Sequence, residues 1–183
     1  MTPEEVGIRL GGTASVSGGG DFARVTVDVP VDDWATAVVT ARDALGYNFF
    51  DWLSAVDELS DGFTVVAHLW SVGARQGLLL RTAVPREAAA LPSIVDIYPG
   101  AAWHERETHE MFGVDFPGHP GLAPLLLPPE FEGYPLRKEF VLASRVAKAW
   151  PGAKEPGESE SGAARRAPMR PPGVPAPGEW GPE

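Results

Sequence analysis

Three of the four histidines, His104, His109 and His119, lie within sixteen residues, interleaved with Glu105, Glu107, Glu110 and Asp115. Imidazoles and carboxylates in such company can hold a metal ion or trade protons. A zinc pattern of the His-Glu-x-x-His type needs two histidines one helical turn apart. His104 and His109 are five apart. On a regular helix they diverge by about 140°, so both cannot reach one ion. Glu107 and Glu110 share a helix face, and one of two close carboxyls can have a raised pKa suited to acid–base work. A stand-alone enzyme using His104, Glu107, Glu110 and His119 is therefore one reading. The plainer reading is a charged helix in which Arg106–Glu110 and Glu105–His109 support one another at i, i+4 spacing. His68 stands in an apolar run and reads as a hydrogen-bonded core or interface histidine.

Other chemistries lack their parts. No Gly-Lys dipeptide occurs, so there is no Walker A loop, and Gly18-Gly19-Gly20 lacks the dinucleotide-binding spacing. Gly-x-Ser-x-Gly is absent. With no cysteine in the sequence, disulfides, thiolate-held zinc, thiolate-held iron–sulfur clusters and a cysteine nucleophile drop out. Acids outnumber bases by 25 to 15, a formal charge of −10. That balance opposes a grip on nucleic acid or on anionic lipid. No apolar run approaches the length of a membrane span. The first residues, MTPEEVGIRLGG, lack the basic and apolar regions of a secretory signal, so the expected setting is soluble and cytoplasmic.

The elements that must position these residues follow from periodicity. At 183 residues and 44% apolar, one domain with an appendage is expected. Residues 1–21 read as a flexible N-terminus because of their glycines and serines. Arg24 to Val29 alternates as a strand. Trp34, Val38, Ala41 and Leu45 form one helical stripe, capped by Asp32 or Asp33 and stopped by Gly46. Asn48–Leu53 fits a strand running on to Val56-Asp57-Glu58. Phe63–Val72 and Leu78–Val84 read as a hairpin. Arg86–Tyr98 suggests two helical pieces broken at Pro92. Ala101–Phe112 is the clearer helix, stopped by Gly113. Trp34, Trp52, Trp70 and Trp103 are assigned to the core. The expected fold is α+β: a two-layer sandwich of helices on a mixed, largely antiparallel sheet, spanning 22–113. Prolines at 117, 120, 124, 128, 129 and 135 make 114–142 an extended segment that must lie against something. The Pro/Gly-rich tail, 143–183, is expected to be disordered.

The run Glu105-Arg106-Glu107-Thr108-His109-Glu110-Met111-Phe112-Gly113-Val114-Asp115-Phe116 is followed by Gly118-His119-Pro120. After it comes Gly133-Tyr134-Pro135-Leu136-Arg137-Lys138-Glu139-Phe140. This ordered three-part pattern resembles the family of the C subunit of NADH-quinone oxidoreductase, a hydrophilic part of respiratory complex I. Upstream, Phe50-Asp51-Trp52-Leu53-Ser54-Ala55-Val56-Asp57 looks like the family's strand entering its Ala-Val-Asp turn. The resemblance spans about residues 22–142. Ala123-Pro124 stands where basic residues commonly follow, and Glu139 replaces an Asp.

The resemblance implies a structural subunit of the peripheral arm, with no catalytic, cofactor or metal residue of its own. Flavin, iron–sulfur clusters and quinone would sit in partner subunits. The implied interface carries Glu105, Arg106, Glu107, Glu110, Gly118, His119, Pro120, Pro135, Leu136, Arg137 and Lys138. The implied partners are the quinone-site and terminal-cluster subunits, with membrane contact only through the complex, on its cytoplasmic face. The complex would pass electrons from NADH to quinone and translocate protons. The homologous subunit of a membrane-bound hydrogenase, or of another donor:quinone complex, fits the same residues.

Overall fold

β4 (Phe63–Ser71) and β5 (Gln76–Val84) pair antiparallel, with Phe63 opposite Val84 and Ser71 opposite Gln76. The computed structural model describes residues 1–141. Phe63, Val65, Ala67 and Leu69 of β4 point inward and are buried, while Thr64, Val66, His68 and Trp70 alternate with them on the other face. That period of two is the signature of a strand. β3 (Phe49–Asp57) pairs antiparallel with β4, and the register slips between Phe50 and Trp52. On the far side β2 (Arg24–Asp28) pairs parallel with β5, and β1 (Thr13–Ser17) closes that edge antiparallel to β2. The order is β1-β2-β5-β4-β3, a mixed and mostly antiparallel sheet as expected.

Helices α1 (Pro3–Leu10), α2 (Trp34–Asp43) and α3 (Ala101–Phe112) contribute to a single core with the inward strand residues. Of the stripe read from the sequence, Trp34, Val38 and Ala41 are fully buried, as are Val27, Leu78 and Leu80, while Leu45 lies past the end of α2 and is partly buried. Each buried Val or Leu side chain contributes roughly 1.5–3 kcal/mol by leaving water.

Several expectations need correction. Residues 1–21 are not a loose leader, since they hold α1 and β1. The Thr2 hydroxyl accepts from the Glu5 N–H and the Glu5 carboxylate accepts from the Thr2 N–H, a complete capping box, with Pro3 opening the helix. Asp33 holds the cap position of α2 without a side-chain cap bond, because a short 3-10 turn at Val31–Asp33 leads into the helix. Arg86–Tyr98 is not two helical pieces. Its backbone is engaged elsewhere: Leu91 N–H donates to Asp115 O, Asp115 N–H to Ala89 O, and Ser93 N–H to Pro117 O. Tertiary pairing overrides the helix propensity of the alanine run. Of the four tryptophans assigned to the core, Trp34 alone is buried, whereas Trp52 is 37% and Trp103 61% exposed. The expected disordered tail, 143–183, lies outside the described residues.

Candidate functional site

α3 ends at Gly113, whose φ of +74° reverses the chain. The segment from 114 onward then returns along α3 as a strap. Its many prolines cannot donate to a ladder, so the main-chain groups that remain need partners. Polar side chains of the α/β body supply several of them.

Glu110 is the clearest case. Its Oε1 accepts from the N–H groups of Leu125 and Leu127 at 3.1 and 2.9 Å, and its Oε2 from Leu126 at 2.8 Å. Burial alone would push its pKa up. The three amides, with the Arg106 charge behind them, outweigh this and hold the carboxyl below its usual range. Arg106, one turn earlier, does the converse. Its Nε and Nη2 donate to Ala123 O and Pro124 O at 2.9 and 2.8 Å, and its guanidinium lies 5.2 Å over the Trp103 ring. The expected Arg106–Glu110 ion pair is absent among the described residues. Instead the two charges grip opposite poles of one loop.

A second clamp holds the end of the strap. Arg137 Nε donates to Phe112 O at 2.6 Å, and its guanidinium lies 4.2 Å over Tyr134 and 5.2 Å over Phe63. Leu136 N–H donates to Met111 O at 3.2 Å, and Lys138 N–H to Asp57 Oδ2 at 2.8 Å. Asp57 is buried at the end of β3. Its Oδ1 accepts from Leu59 N–H at 2.8 Å and from the Arg86 guanidinium. Burial pushes the Asp57 carboxyl up, but the amides of Lys138 and Leu59 and the charges of Arg86 and Lys138 win, so it titrates below its usual range. Arg86 also reaches Glu139 at 2.9 Å and Leu59 O at 2.7 Å. At Gly113 an added Cβ would stand 2.5 Å from Arg137 and 2.6 Å from Tyr134, so with its positive φ the position favours glycine and another residue would have to displace both side chains.

Glu105 faces the other way, into the core, where it is fully buried. Its Oε2 accepts from the Ser93 hydroxyl at 2.6 Å and its Oε1 from Ile94 N–H at 2.7 Å. Desolvation dominates, so this carboxyl titrates above its usual range despite those donors and the nearby His119. His119 accepts from Gly121 N–H at Nδ1, 2.9 Å, which leaves the proton on Nε2 to donate to Ala102 O at 3.1 Å. His109 Nδ1 lies 2.9 Å from Val114 O, and His104 packs its ring edge against Phe50. Glu107 is exposed, Gly118 has a φ of +93°, Pro120 is exposed and Pro135 is half-buried.

The structure thus spreads the sequence's candidates over several faces of α3 and along the strap, with Arg106 and Glu110 on the strap side and Glu105 in the core, and does not gather them into a reacting centre. Glu110 accepts three hydrogen bonds and Glu105 two, and both nitrogens of His119 are engaged. Among the described residues no group of three or more His, Asp or Glu is placed to hold a metal ion. A cleft of about 500 Å3 lies elsewhere, lined by Gly12, Thr13, Asp28, Thr64 and Thr82 among others, and none of the signature residues line it. Sequence reasoning missed Asp57, Arg86 and Ser93 as members of the site. Asp57 had a signal: it continues the inward alternation Leu53, Ala55, a place for an apolar side chain. No helix among the described residues is long and apolar enough to cross a membrane.

Comparisons with known proteins bear on the family of the chain. The family described as respiratory-chain NADH dehydrogenase, 30 kDa subunit, matches residues 27–146. The C subunit of the NADH-quinone oxidoreductase of Roseiflexus castenholzii is 42% identical over 102 residues, covering 55% of this chain and 59% of that one. The C/D subunit of the NADH-quinone oxidoreductase of Pseudomonas fluorescens is 44% identical over 78 residues, covering 43% of this chain and 13% of that one. The chain therefore spans less than two thirds of the length of these curated relatives. The solved trypsin-resistant fragment of Nqo5 superposes with a TM-score of 0.56 at 28% identity, over 64% of this chain and 94% of the fragment. A chain of the membrane-bound sulfane sulfur reductase, an archaeal respiratory membrane complex, gives 0.62 at 26% identity, over 77% and 88%. The match across most of the described residues, together with the ordered signature at both clamps, shows that the chain belongs to the respiratory-chain NADH dehydrogenase 30 kDa subunit family.

Proposed function

We propose that the chain is a structural, cofactor-free subunit in the peripheral arm of an NADH:quinone oxidoreductase, held at the cytoplasmic face of the cell membrane by its neighbours. The complex as a whole passes electrons from NADH to quinone and couples this to proton translocation. The observation that carries the reading is the double clamp. Arg106 and Glu110, and then Arg137 and the Lys138 amide, fix a proline-rich strap as a rigid ridge. Such a ridge displays Leu126 and Leu136, 60% and 53% exposed, to a partner rather than closing over a substrate. The docking partners are the subunits carrying the terminal iron–sulfur cluster and the quinone site. The name C/D of the longer relatives supports a neighbour of the D type.

Affinity purification of the tagged chain from membranes tests this, with partner identification by mass spectrometry. Flavin- and cluster-bearing NADH dehydrogenase subunits should co-purify, with NADH-dependent quinone reduction in the eluate. Recovery of the chain alone would sink the proposal. One observation favours a second reading: the similarity to a chain of a sulfur-reducing respiratory complex. Under that reading the eluate would contain another donor or acceptor module, such as a hydrogenase, and would not oxidise NADH.

A further inference from the structure

The sheet has a second face, opposite the helices, on which ring contacts and ion pairs link neighbouring side chains along and across the strands. Trp52 on β3 lies opposite His68 on β4, which lies opposite Leu79 on β5. The Trp52 and His68 rings stack at 5.9 Å, and Trp70 tilts against His68 at 6.3 Å. The guanidinium of Arg24 lies 5.6 Å over Trp70. The slip in register at Asp51 puts an extra residue into β3, as a bulge does. It lets the Asp51 carboxylate reach His68 Nδ1 at 2.7 Å. Gly77 keeps the platform flat, since a Cβ there would stand 2.7 Å from His68 Nε2.

The fixed charges of this face balance, Arg24 and Arg81 against Asp28 and Asp51. Asp51 bonds His68, and Arg81 meets Asp28 through two bonds of 2.8 and 2.7 Å. A formal charge of −10 burdens the chain as a whole, yet this patch can leave water with its ions matched. Protein interfaces place tryptophan and arginine at their centres and deplete unpaired charge there. A nucleic-acid strand or an anionic bilayer would need surplus cations instead.

Building on the reading of the chain as a respiratory-complex subunit, we propose that the Trp52–His68–Trp70 platform is a second docking surface. It fits a neighbouring protein of the complex that presents an apolar, weakly charged patch with a recess for an indole. The surface is separate from the strap ridge, so the chain bridges two neighbours.

Hydroxyl-radical footprinting of the full-length free chain and of the purified complex tests it. Trp52 is 37% exposed and should label readily in the free chain. Assembly should slow its labelling roughly tenfold. Trp52→Glu should cut recovery of the chain in the complex roughly tenfold. Phe22→Glu, at a side chain 80% exposed in the turn between β1 and β2, should leave recovery within about twofold. If Trp52 labels equally in both states while Trp103 becomes protected, the platform assignment is wrong and the subunit reading stands. If no other respiratory protein is recovered with the chain, the subunit reading itself is wrong. Slow labelling of Trp52 in a free dimer, or in a free monomer, would overturn the proposal in favour of a second copy or of the chain's own tail.

Discussion

The body and the strap of this protein are held together by different physics. In the body, Leu78, Leu80, Val65 and Trp34 interlock behind a regular ladder, and apolar burial does the holding. In the strap, prolines remove donors and no regular ladder forms beyond the short pairing with 89–93. The chain stays in place because Glu110, Arg106, Arg137 and Asp57 reach out and bind its main chain. The body's stability is thus spread over many apolar contacts, whereas the strap, past its buried Val114 and Phe116, leans largely on polar holds from four side chains. A proline-rich segment can be well ordered if its host supplies the polar partners that a sheet would otherwise provide.

The contrast can be broken at its strong end first. Leu80→Ala, at a fully buried site, should cost about 2–5 kcal/mol of global stability in denaturant unfolding. A shift below about 1 kcal/mol would show that burial is not what holds the body. Next comes Asp57→Ala, which strands the Arg86 charge and the amides of Leu59 and Lys138. Because the Arg86 side chain keeps 25% of its exposure, we expect a loss of about 2–3 kcal/mol. Hydrogen exchange should accelerate most at Lys138 and its neighbours. Uniform acceleration throughout the sheet would instead make Asp57 part of the body's own support.

Acidification sharpens the same contrast without mutation. Asp57 and Glu110 have depressed folded pKa values, so the stability they contribute is present above about pH 4 and is lost as pH falls through the folded values. Glu105 is shifted the other way, so its ionisation penalises the fold at neutral pH and protonation relieves it. Exchange at 125–127 and at Lys138 should therefore rise below about pH 4 before exchange at Ile94 does. The reverse order would contradict the assignment. Smallest of all, Arg106→Ala removes two bonds to carbonyls on a half-exposed side chain, at a cost of about 1 kcal/mol. The yield of assembled complex should fall modestly, and quinone reduction per assembled complex should not change. Full assembly with abolished turnover would give Arg106 a part in the chemistry.

Elements whose periodicity was undisturbed were legible in the sequence. The helix Ala101–Phe112 with its Gly113 stop, the stripe of α2 and the β4–β5 hairpin all follow from local pattern. The N-terminal helix was missed because glycine density outweighed a short signal, Thr2-Pro3-Glu4-Glu5, that spells a capping box. Residues 86–98 were misread because their backbone partners, Asp115 and Pro117, lie more than twenty residues away, beyond the reach of propensity. The ordered motif marked Arg106, Glu110 and Arg137 as important, but i, i+4 arithmetic assigned the first two to each other. Their true partners are main-chain groups, which carry no residue-type signature. Asp51 was out of reach for the same reason, since a strand slip is written in register and not in composition.

The strap's clamps have a consequence for how such a protein waits for its partners. A segment that had to order itself on contact would exact its entropy at the moment of binding and slow productive encounter. One already fastened to its own body docks as a rigid part, within the roughly 10^5–10^7 M−1 s−1 typical of pre-shaped protein pairs. On the subunit reading proposed above, copies of the chain would wait for their partners with the strap already in place.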